Sequence, residues 1–186
     1  WLDAEALKQK FLSLSATIHP DKIHAIDACD KQAASKKFAE LNTAYNNLLL
    51  PKSRLLHLLE LERGAKPEDI QQIPADLADL FARVAVVCRD TDQFLAGKAR
   101  TVSPLLQVQL FERGQAWIEQ LNGLQKELSG FHDDLLAMLK RLDAQWMGDG
   151  PGRPALLDEL EHLYRLFSYF NRWNSQIHER IVQLSI

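Results

Sequence analysis

Apolar residues recur along this chain at alternating three- and four-residue steps, the pattern of helices that each bury one face. Leu7, Phe11, Leu14 and Ile18 trace the first stripe, with Asp3 placed to cap the helix and Glu5 in its first turn. The stripe stops at Pro20, which disfavours helical backbone at His19 and lacks a backbone donor. His19, Pro20, Asp21 and Lys22 are therefore expected at an exposed corner. Residues 21–30 carry three aspartates and little periodicity and read as a loop. A second stripe, Ala34, Phe38, Leu41, Tyr45 and Leu48, ends before Pro51. Two helices of similar length joined by that loop should return as an antiparallel pair.

A shorter element, Leu55 to Leu61, is apolar on more than one side and is expected to be wedged between units; Gly64 ends it. Gly64 to Pro74, with two prolines and several charges, is the linker candidate. Beyond it Leu77, Leu80, Phe81, Val84, Val87 and Cys88 mark a helix interrupted around Gly97, and Ser103-Pro104 is a start signal for the next. The stripe from Leu121 to Leu142 keeps a heptad-like rhythm, so this helix is long and lies against partners. Gly114, Gly123 and Gly130 each cost about 1 kcal/mol relative to alanine and leave room for a bend or break. The run Gly148-Asp149-Gly150-Pro151-Gly152 is a turn, and Leu157 to Leu184 forms the last helix. No stretch alternates with period two. The expected fold is all-α, a helical hairpin in residues 1–63, a linker at 64–74, and a three-helix bundle over 75–186.

Composition narrows the function classes. With 186 residues, 46% of them hydrophobic, the chain can bury a real core. A net charge of −3 gives no global pull toward nucleic acid or an anionic membrane, so electrostatic recognition must come from a local patch. No apolar run is long enough to span a bilayer and no secretory signal is visible, so an intracellular, soluble protein without nucleic-acid or membrane partners is expected. The two cysteines, Cys29 and Cys88, lack a partner at metal-ligand spacing and read as ordinary thiols. The chain begins at Trp1, almost inside a helix, which suggests a longer natural N-terminus.

His19-Pro20-Asp21 is the motif with chemistry. In the context of Lys10-Phe11, Leu14, His19-Pro20-Asp21-Lys22, Phe38, Leu41, Ala44-Tyr45, Leu48, Pro51 and Arg54, the first part of the chain resembles the J-domain of DnaJ-type co-chaperones. In that family the His-Pro-Asp loop and the basic face of the preceding helix dock on a DnaK- or HscA-type heat-shock ATPase of the seventy-kilodalton class and stimulate hydrolysis. The resemblance carries over to His19, Pro20, Asp21 and Lys22, with Lys8 and Lys10 on the helix. A proline-fixed corner preorganises its imidazole and carboxylate, and lysines steer toward an acidic partner. The blander alternative is a capped, solvated helix end. Ser15, Ala16 and Thr17 are neutral where the family usually carries Arg, Lys or Gln, and the family's first helix is absent, so truncation or disorder is expected ahead of Trp1.

The second half is similar to the HscB family, co-chaperones of iron–sulfur cluster biogenesis. Leu163 to Arg172 resembles its last helix, and Arg54 to Leu59 the element joining its two domains. That resemblance implies a client, the iron–sulfur cluster scaffold, held by an apolar patch edged with glutamates. Leu80, Phe81 and Val84, with Leu166 on the last helix, supply the apolar part, while Ala82, Ala85 and Cys88 stand where carboxylates are expected. The alternative is that these are simply core. Glu159-x-x-His162 has di-iron ligand spacing but no second copy, and no phosphate loop or nucleophile motif is found, so no metal, no cofactor and no enzymatic activity are expected. The expected location is the cytoplasm, or the mitochondrial matrix in a eukaryote. The remaining alternatives are a J-domain protein for another client, or a structural adaptor with a degenerate J-domain.

Overall fold

The computed structural model describes residues 2–18, 28–67, 73–74, 77–100, 104–146 and 152–186. Among these the chain is all-α, with helices α1 (Ala4–Ile18), α2 (Ala28–Leu49), α3 (Pro51–Arg63), α4 (Ala78–Lys98), α5 (Pro104–Trp146) and α6 (Arg153–Ser185), and no strand. They group into two compact units, residues 1–67 with 138–164, and residues 68–137 with 165–186.

In the first unit the helix ends follow the punctuation of the sequence. Asp3 caps α1, its Oδ1 accepting the Ala6 amide at 2.7 Å. Pro51 opens α3 at a position whose missing N–H would have had no helical partner. Gly64 closes α3 in the left-handed region at φ 72°, its amide donating to the Glu60 carbonyl at 2.9 Å. α2 starts at Ala28, two residues before the end of the expected loop. Asp30, read as a loop residue, therefore lies within the span of α2.

α1 packs on α2, with the Phe11 and Tyr45 rings stacked at 4.2 Å. Arg54 Nη1, at the start of α3, donates to the Leu2 carbonyl at 3.3 Å, so the start of α1 lies beside the end of α2 and the pair is antiparallel. α1 buries no residue fully, and Ala34 is the buried member of the α2 stripe. Leu55 and Leu59 on α3 are buried, as are Leu142 on α5 and Leu156, Leu160 and Leu163 on α6. Each such side chain contributes about 1.5–3 kcal/mol through its burial. Arg63 at the end of α3 reaches Asp158 at 2.5 Å and also bonds Glu161, a largely buried carboxylate. Arg153 bonds Glu62 at 3.3 Å and lies 4.6 Å from the Trp146 ring centroid.

The second unit is an up-down-up bundle. Arg83 pairs with Glu127, and Arg113 sits 5.5 Å from the Phe94 ring, so α4 and α5 are antiparallel. Phe81 meets Trp173, and Arg180 Nη2 meets Asp92 at 2.6 Å, so α4 and α6 are parallel. Val84, Leu121, Leu128, Phe167 and Ile177 form the core. Thr91, fully buried between them, donates its hydroxyl to the Val87 carbonyl at 2.7 Å, which satisfies the polar atom locally. α5 is continuous through Gly114, Gly123 and Gly130. In this unit the burial of Leu121, Leu124, Leu128 and Leu135 offsets their cost.

Candidate functional site

The corner residues His19, Pro20, Asp21 and Lys22 lie outside the described residues, and what is described is the frame that carries them. α1 delivers the chain to the corner at Ile18 and α2 takes it up again at Ala28. The Phe11–Tyr45 stack fixes α1 on α2 two turns before the corner. Thr17, in the last turn, turns its hydroxyl back to the Leu14 carbonyl at 2.7 Å, so it offers no charge and little free polarity to a partner.

Lys8 and Lys10 are both exposed, yet two residues along a helix turn the side chain through about 200°, leaving the two about 160° apart. Lys8 shares its side with Leu12 and Ser15, and Lys10 with Leu14 and Thr17. Leu12 and Leu14 are exposed as well. The helix thus presents two lysine-plus-leucine faces, and one flat partner can engage one of them fully.

On the second unit the structure separates the four predicted client residues. Leu80, Val84 and Leu166 are buried in the bundle, and Phe81 is 39% exposed. Its ring lies 6.1 Å from Trp173, which in turn stacks on Tyr169 at 5.7 Å. Ala82, Ala85 and Val86 are exposed on the same side of α4, so Phe81 heads an apolar strip along the helix that ends at the exposed Arg89. Of the three positions where the sequence reading expected edge carboxylates, Ala82 and Ala85 are exposed and Cys88 is buried, while Val86 was not singled out as surface. The signal was present: Leu80, Val84, Val87 and Cys88 already complete one core stripe, and the remaining apolar residues of α4 then form a second face.

Charge borders this strip without entering it. Glu127 holds Arg83 by a hydrogen bond and by its charge, raising the guanidinium above its ordinary value. Arg180 is penalised by burial, but its hydrogen bond to Asp92 and the neighbouring Cys88, Asp92 and Glu179 more than offset this and keep it cationic. Arg180 Nε also donates to the Cys88 carbonyl at 3.2 Å, tying α6 to α4. Burial pushes the Cys88 thiol up, against a smaller opposing effect of Arg180. A buried, protonated thiol is a poor nucleophile and a poor ligand.

Among the described residues no three His, Cys, Asp or Glu side chains converge to hold a metal ion. Glu159 and His162 line an open groove of about 320 Å³ with Met138, Arg141 and Asp158. No helix among the described residues is long and apolar enough to cross a membrane.

No family profile matches the chain, and no solved structure matches it. Curated relatives do. The mitochondrial J-type co-chaperone Jac1 of Schizosaccharomyces pombe is 26% identical over 142 residues, which is 76% of this chain and 59% of that protein. The co-chaperone protein HscB homologue of Shewanella loihica is 36% identical over 61 residues, 33% of this chain and 35% of its own. That of Pseudoalteromonas atlantica is 34% identical over 83 residues, 45% and 47% of the two chains. The chain therefore spans less than two thirds of the length of each of these relatives. In sequence it resembles the J-type co-chaperones of the Jac1 and HscB kind, on an all-helical frame.

Proposed function

We propose that this protein is a co-chaperone that stimulates the ATPase of a seventy-kilodalton-class heat-shock chaperone through His19, Pro20 and Asp21, and delivers to it a client, the iron–sulfur cluster scaffold protein. The observation that carries the reading is an intact His-Pro-Asp tripeptide between α1 and α2 in a chain similar to Jac1 and HscB. Docking belongs to residues 1–63, with Lys22 after the motif and one of Lys8 and Lys10 on α1; residues 64–74 are the linker and 75–186 the client part, of which 138–164 pack in the first unit. The chemistry happens on the ATPase, so the chain itself acts as an adaptor, in the bacterial cytoplasm or the mitochondrial matrix.

The test is single-turnover ATP hydrolysis by the partner ATPase with and without the full chain. Stimulation by the wild type that His19→Gln abolishes is the expected result; equal rates with both proteins would sink the reading. For the client, Phe81→Ala should weaken capture of the scaffold protein, since Phe81 is the one of the four predicted client residues that is exposed. A second reading, the same co-chaperone with a different and more apolar client, is favoured by the strip Phe81, Ala82, Ala85 and Val86, which holds no carboxylate. Failure of wild type to capture the scaffold, with ATPase stimulation intact, selects it.

A further inference from the structure

The start of α5 departs from the rule that a solvent-facing helix is polar on its outer side. From Pro104 to Phe111 the sequence is Pro-Leu-Leu-Gln-Val-Gln-Leu-Phe, eight residues without a charge. Leu106 is 48% exposed, Val108 62% and Phe111 66%. Leu106, Phe111 and Val108 fall at about 0°, 140° and 200° around the helix axis, so the exposed apolar surface wraps more than one side. Apolar residues on several sides of a helix call for cover on several sides. A flat protein face covers one side; a fluid apolar phase covers all of them. Interfacial helices bury apolar side chains only about 5–10 Å into the headgroup and acyl boundary, a depth that the exposed side chains of one short helix end can reach.

Cations stand at the base of this segment. Lys98 closes α4, Arg100 is exposed just beyond it, and Arg113 follows Phe111 by two residues. Three residues separate Arg100 from Pro104, so the two lie within about 15 Å of each other. Arg113 sits 5.5 Å from the Phe94 ring on α4, placing its charge at the same end of the helix pair. With Glu112 the acid of the stretch, residues 98–113 sum to three positive charges less one negative, or +2, in a chain whose net charge is −3. An uncharged apolar end with a cationic base matches an anionic lipid surface.

We infer that the α4–α5 end of the second unit is a peripheral membrane contact, in which Leu106, Val108 and Phe111 enter the acyl boundary of an anionic bilayer and Lys98, Arg100 and Arg113 meet its headgroups. Binding is reversible and salt-dependent, since one short apolar end and three cations do not anchor a chain permanently.

Co-sedimentation of the full chain with phosphatidylcholine vesicles containing about one third phosphatidylglycerol tests this, with pure phosphatidylcholine vesicles alongside. The expected result is pelleting with the anionic vesicles, weaker with the neutral ones, and reduced at high salt. Val108→Ser with Phe111→Ser should abolish it while the far-ultraviolet circular dichroism stays unchanged, because both side chains face solvent. Arg100→Gln should weaken binding by about fivefold, the worth of removing one cation near an anionic surface, and Arg100→Glu by more. Phe81→Ser, on the other exposed apolar strip, should leave pelleting unchanged. Wild type that stays in the supernatant, equal pelleting with both vesicles, or pelleting indifferent to the Val108 and Phe111 changes each overturns the inference. So does self-association without vesicles that those changes remove, which would assign the surface to a second copy of the chain.

Discussion

At the scale of single residues, Cys88 offers the clearest consequence of burial. Its side chain sits in the second unit's core, and burial holds the thiol proton more tightly in the folded protein than in the unfolded chain. The resulting stability is fully present below the ordinary thiol value of 9.0 and is lost as pH rises through the higher folded value. In a Cys29→Ser background, a thiol reagent at neutral pH should therefore modify the native protein far more slowly than the urea-unfolded one. Comparable rates would mean that Cys88 is accessible or ionised. The sequence already placed Cys88 in the apolar stripe of α4, but reading it as an ordinary thiol drew no consequence for its acidity. Core and surface were harder to tell apart at Leu80, Phe81, Val84 and Leu166, four apolar residues of which the fold exposes one.

At the scale of elements, Gly64 shows how a helix end is written and how it can be tested. Its left-handed backbone is required by the α3 cap, and a Cβ added there would meet nothing within 4 Å. Gly64→Ala should then cost about 1–2 kcal/mol of conformational energy with no steric part, and Gly64→Asn clearly less, as measured by urea unfolding. Equal losses for both would show that the cap does not set the cost. Residues of this kind made the element ends legible: Asp3, Pro51, Gly64 and Pro104 each act on the backbone directly, and each stands where the structure starts or stops a helix. The start of α2 was harder to see, since an aspartate suits a loop and a first helical turn equally well. The length of α5 was legible in its own leucine stripe, whereas the three glycines left open a break that the helix does not make.

At the scale of the whole molecule, long-range ion pairs shape the first unit. Arg63 bonds Asp158 and Glu161 across 95 and 98 positions of sequence, and Glu161 is mostly buried. Arg63→Ala should lower the unfolding free energy by about 1–3 kcal/mol, the cost of withdrawing one partner from a charged hydrogen bond. Arg63→Met combined with Glu161→Leu should recover much of that loss, since an apolar pair of similar volume can replace a buried ionic one. A double variant no better than Arg63→Ala in a urea titration would show that the charges themselves are needed. No sequence pattern pairs Arg63 with Glu161; periodicity describes faces within a helix and is silent on which distant faces meet. That pairing also sets an order of events during synthesis. The first unit takes residues 1–67 together with 138–164, so 97 further residues must be made before its last part exists. At about 5–20 residues per second, α1 to α3 wait roughly 5–20 s for the leucines of α6. During that interval α1 to α3 lack the leucines of α6 that complete the core of the folded unit.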